Sequence, residues 1–131
     1  MLDLTPLRRA LIDAYLTSPV PPMLPAEARP QDIIPAQAIR ISEDLSGWII
    51  STMTKRQALA ALRPQVDARL TTEERAAFRG SFRYPGYPEQ TIHATVWRIA
   101  MTMLAEIHAI GPSGHGRIRL LSELSRLGEV A

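Results

Sequence analysis

A chain of 131 residues and 14.5 kDa has the length of one domain, enough to bury a core without covalent staples. Its composition, 46% hydrophobic and 21% charged, excludes a disordered chain, and a formal net charge of only +2 does not by itself announce a polyanionic partner. The absence of cysteine excludes a disulfide scaffold, a thiol nucleophile and any cysteine-ligated metal.

The N-terminal stretch carries Asp3 where a signal peptide would carry positive charge, and its apolar residues are periodic rather than continuous. The most apolar segment, 91–110, is interrupted by His93, Arg98, Glu106 and His108, so nothing has the uniform apolar run of a membrane span. The expectation is a soluble cytoplasmic protein with no membrane contact.

Thr5-Pro6 reads as a helix start, a hydroxyl cap followed by a proline whose missing N–H costs nothing there. Leu7, Leu11 and Tyr15 recur at helical spacing, flanked by Leu4 and Ile12. Arg8, Arg9 and Asp13 face elsewhere, with Arg9 and Asp13 spaced for an i,i+4 ion pair. This helix is expected to occupy residues 1–17. Residues 18–35 follow, holding Pro19, Pro21, Pro22, Pro25, Pro30 and Pro35. So many prolines predict an extended connector, with Pro21, Pro22, Met23 and Leu24 as candidate protein-docking residues.

The body is expected over residues 36–131, the whole chain forming one domain. Pro35 opens a second helix whose stripe is Ala38, Ile41, Leu45, Trp48 and Thr52, widened by Ile49. Gly47 inside it reads as a kink or a close helix crossing, and Ser42-Glu43-Asp44 as a place where the helix divides. Thr54 and Gln57 form a capping-box pattern ahead of Leu59, Leu62, Val66 and Leu70. Pro64 is expected to kink or interrupt that helix. A second box, Thr71 with Glu74, precedes a short helix that ends near Arg79, before an aromatic loop containing Phe82, Tyr84 and Tyr87.

Residues 89–110 carry the longest stripe, Ile92, Val96, Ile99, Met103, Ile107 and Ile110, broadened by Trp97, Ala100, Met101 and Leu104. A helix apolar over more than half its circumference is expected at the centre of the fold. Gly111-Pro112 ends it. A last helix is expected over 117–127, with Leu120, Leu121, Leu124 and Leu127 facing inward and Ile118 at the edge. The expected architecture is all-α: a compact five- or six-helix domain around one long central helix, with a proline-rich connector after the first.

Chemistry-bearing patterns are sparse. His93 and His108 lie fifteen residues apart on one helix, about 22 Å along its axis, and cannot share a metal within the chain. The glycine-rich run 111–116 precedes a helix but lacks the lysine and Ser/Thr ending of a nucleotide loop. Acidic pairs fall at helix starts, where the helix dipole explains them. No catalytic, cofactor or metal residues are assigned, and the protein is expected not to be an enzyme.

Positive charge concentrates in residues 55–83, seven basic against three acidic. The leading reading is an adaptor, regulatory or assembly protein that binds another protein, with self-association open through exchange of the first helix. Its candidate contact residues are Pro21, Pro22, Met23, Leu24, Phe82, Tyr84 and Tyr87. The second reading is a DNA-binding regulator using Lys55, Arg56, Arg75, Arg79 and Arg83, with Arg117 and Arg119 as phosphate contacts.

Overall fold

The structure, a computed structural model, describes residues 2–17, 34–69, 71–73 and 88–129. Five helices make up this part of the chain: α1 Thr5–Thr17, α2 Pro35–Thr52, α3 Lys55–Arg69, α4 Pro88–Ile110 and α5 Gly114–Glu129. No strand occurs among the described residues. The protein is all-α.

The long helix α4 takes the central position its wide apolar surface predicts. It packs against all four other helices, which follow one another in the order α5, α1, α2, α3. Ile92, Val96, Ile99, Ala100, Met103, Leu104 and Ile107 are buried along it. The facing residues are Leu7, Leu11 and Tyr15 of α1, Ala38 and Ile49 of α2, Leu62 and Val66 of α3, and Leu120 of α5. Burial of such side chains, worth about 1.5–3 kcal/mol each, is the main term holding the bundle together. The first helix, whose sequence also suits exchange between copies, lies against α2, α4 and α5 of its own chain.

Local signals set most of the helix ends. Thr54 and Gln57 complete the expected box, the Gln57 N–H donating to Thr54 Oγ1 at 3.1 Å and the Thr54 N–H to Gln57 Oε1 at 3.0 Å. At α1 the cap differs from expectation. Thr5 is the first helical residue, and its N–H donates to Asp3 Oδ1 at 2.9 Å. Hydrogen bonding from Thr5, its hydroxyl foremost and then its N–H, holds the Asp3 carboxyl below the usual carboxylate range.

Several sequence expectations fail for tertiary reasons. α2 is neither divided at Ser42 nor marked by a crossing at Gly47: Gly47 is exposed, with no neighbour near the position of a Cβ. Ser42 and Ser46 are buried instead, and Ser46 Oγ donates to the Ser42 carbonyl at 2.7 Å. The expected outcome for Gly47→Ala is therefore a gain of about 0.5–1 kcal/mol, the ordinary advantage of alanine in an exposed helix interior, measured by denaturant unfolding. α3 runs through Pro64 without ending. Pro64 is exposed, and so is Ala60 four residues earlier, so the carbonyl that loses its helical donor lies on the solvent side.

α5 begins at Gly114, three residues before the expected start. Ser113 caps it, its Oγ accepting from the Gly116 N–H at 3.0 Å and its carbonyl from the Arg117 N–H at 3.0 Å. The glycine-rich run is thus a tight corner followed by helix. Glu74 of the expected second box, the rest of the short helix after it and the connector residues 18–33 lie outside the described residues.

Candidate interaction surface

Polar contacts knit the two termini of the described fold to α4. The Arg8 guanidinium of α1 bonds the Glu123 carboxylate of α5 through Nε and lies 3.3 Å from Glu106 of α4 through Nη1. One cation thereby ties three helices, and these partners hold its pKa above the usual arginine value. Arg9 and Asp13 form no such pair. Both border a hollow of about 540 Å³ that Leu124 and Leu127 also line.

At the other end of α1, Tyr15 is buried, its hydroxyl 3.1 Å from His108 Nδ1 and its ring edge-on to the imidazole. Arg117 of α5 donates from Nη2 to the Leu16 carbonyl at 3.1 Å, which fills a helix C-terminal acceptor. His108 Nε2 is buried with no partner. Burial pushes the Tyr15 phenol above its usual range. A raised folded-state pKa means stability that is complete below the ordinary phenol value and is lost as pH climbs through the raised one. In an alkaline absorbance titration, one of the three tyrosines is expected to ionise late, together with unfolding, and Tyr15→Phe removes that late phase.

The anticipated site residues are only partly described. Pro21, Pro22, Met23, Leu24, Arg75, Arg79, Phe82, Arg83, Tyr84 and Tyr87 all lie outside the described residues. Lys55 and Arg56 are exposed at the start of α3, and Arg119 is exposed on α5. Arg56 and Arg119 border separate surface hollows, the first with Leu59, Ala60 and Arg63 and the second with Ile118, Ser122 and Arg126. Arg117, expected to face phosphate, is turned inward to Leu16.

The structure brings out apolar surface that periodicity placed inside. Trp48 is 52% exposed although it continues the α2 stripe. Leu121, expected to face the core, is 55% exposed, and Ile118 is 61% exposed. These two side chains stand one turn apart on the outer face of α5, opposite buried Leu120. A second apolar strip borders a groove of about 670 Å³ between α2 and α4, lined by Ile39, Ser42, Glu43, His93, Ala94 and Trp97. Ile118 lies on the side of the helical wheel away from Leu120, Leu124 and Leu127, a signal of its exposure, whereas Leu121 stands one turn before Leu124 and carries no such signal.

Among the described residues no three His, Asp or Glu side chains group as a metal site, and no helix is long and apolar enough to cross a membrane. The chain matches no protein-family model, no curated protein and no solved structure.

Proposed function

We propose that this protein is a non-enzymatic helical adaptor or assembly component that works by binding another protein through the outer face of α5. The observation that carries this reading is the pair Ile118 and Leu121, both more than half exposed and one helical turn apart. An apolar pair at i,i+3 on an already packed helix presents a second stripe, the arrangement by which helices seat in partner grooves.

The test is affinity capture from the native host with the wild-type chain and an Ile118→Ser, Leu121→Ser double variant. Both substitutions fall on solvent-facing positions, so the melting temperature is expected to stay within a few degrees of wild type. Loss of a discrete captured protein from the variant supports the reading. Equal capture by a folded variant, or no specific capture by either, contradicts it.

DNA binding is favoured by one observation, the exposed basic row Lys55, Arg56 and Arg63 along α3. Two of these cations stand at the helix N-terminus, where the dipole does not reward them. Fluorescence anisotropy with a labelled generic duplex tests this reading. Micromolar affinity that weakens steeply between about 50 and 200 mM salt, and flattens in Lys55→Glu, Arg56→Glu, moves it ahead of the protein-binding reading. No binding at low salt removes it.

A further inference from the structure

Three of the four large hydrophobic side chains exposed among the described residues fall on two separate surfaces. Ile118 and Leu121 form the outward strip of α5. Ile39 of α2, 44% exposed, borders the groove of about 670 Å³ between α2 and α4, where Ala94 and Trp97 supply the rest of the apolar lining. Both surfaces hold apolar area in water that association removes.

The two surfaces carry opposite charge. Arg119 and Arg126, about two turns apart along one edge of α5, border the same surface hollow as Ile118. Both are exposed, and neither has a carboxylate partner among the described residues. Glu123, which also borders that hollow, is already bonded to Arg8. The groove presents Glu43, exposed and likewise without an ion-pair partner among the described residues, with Ser42 and His93 as its other polar lining. An apolar strip with a cationic edge therefore finds in the groove both an apolar lining and an anion, the complementarity that sets register and choice of partner. Packing α5 on α5 brings no unpaired carboxylate to the arginines, which disfavours the symmetric alternative.

Building on the protein-binding reading of α5, we propose that its partner is a second copy of this chain. Ile118 and Leu121 seat against Ile39, Ala94 and Trp97 in the α2–α4 groove of that copy, with the arginine edge beside Glu43. The contact is head to tail. Each copy offers α5 to one neighbour and its groove to another, so the assembly grows beyond a pair unless it closes.

The experiment is sedimentation velocity of the purified full chain from about 10 μM to about 500 μM, a range that covers transient association. The mass of the wild type is expected to rise with concentration from 14.5 kDa to at least twice that value. The Ile118→Ser, Leu121→Ser double variant loses the inserted strip. Ala94→Arg, at an exposed helical position, places a cation in the receiving groove. Each variant alone is expected to stay monomeric throughout the range. Mixed in equal amounts, they are expected to form a complex of two chains and nothing larger, because one keeps the groove and the other keeps the strip. That recovery also shows that both variants are folded. Glu43→Arg, which sets like charges together, is expected to weaken association by about tenfold or more. A monomeric wild type overturns the proposal; a different host protein captured by the wild type and lost from the α5 double variant then leaves the protein-binding reading standing. Self-association that persists in either variant, no complex in the mixture, or association by Glu43→Arg equal to wild type also overturns it.

Discussion

Gly116→Ala is expected to unfold the protein or to lower its stability by about 3 kcal/mol or more, a large share of what a domain of this size holds. An alanine Cβ at this position falls inside the van der Waals shell of the Ile110 carbonyl oxygen and 2.7 Å from its carbonyl carbon. The obstruction is main chain at the end of α4, so no rotamer change relieves it. Nor is the backbone conformation of Gly116 unusual, since no described glycine has a positive φ. Space alone requires glycine, because α5 starts against the last turn of α4 after a corner of three residues. Gly114→Ala provides the internal control: nothing lies near its Cβ position, and stability there should change by less than about 1 kcal/mol. Thermal and urea unfolding of the two variants distinguishes a local steric requirement from a general intolerance of the glycine-rich run.

Tyr15→Ala is the second large effect, expected to cost about 3–5 kcal/mol as a buried aromatic truncation. The side chain is 2% exposed and joins the C-terminal end of α1 to His108 on α4 and to the corner at Gly111. A Cβ on Gly111 would meet the Tyr15 hydroxyl at 2.7 Å, so the ring lies directly on the corner. Tyr15→Phe keeps this packing and removes the bond to His108 Nδ1, which then joins Nε2 in having no partner. Its expected cost is about 1–2 kcal/mol, the value of one buried hydrogen bond with an orphaned acceptor or donor. Urea unfolding of both variants checks the pair. Equal losses in the two would show that the hydroxyl, rather than the ring, carries the effect.

The elements most legible in the sequence are those written by local chemistry. The Thr54 and Gln57 box, Pro35 at the start of α2, Gly111-Pro112 at the end of α4 and the long apolar stripe between Ile92 and Ile110 all specify structure through neighbours within one or two turns. The start of α5 is also local, set by Ser113 three residues ahead of the Gly116 N–H it caps. What was not legible depends on distant residues. Arg8 meets Glu106 and Glu123 only because α1, α4 and α5 converge, and Gly116 matters only because Ile110 approaches it. Trp48 satisfies the α2 period, yet that helix presents one side to the bundle, and the tryptophan at the stripe's margin stays half in solvent.

The candidate contact residues show the same division. Leu121 stands one turn before Leu124 and so belongs to the apolar side by spacing, yet it lies about 100° from buried Leu120 and the packing leaves it in solvent with Ile118.

The most direct test of the protein-binding account is photocrosslinking in the native host from a photoreactive residue placed at position 121, with the same residue at exposed position 40 on α2 as control. The account predicts a discrete protein adduct from position 121 and none of that mass from position 40, whether the partner is a different protein or a second copy of this chain. No adduct from position 121, or the same diffuse labelling from both positions, would contradict it.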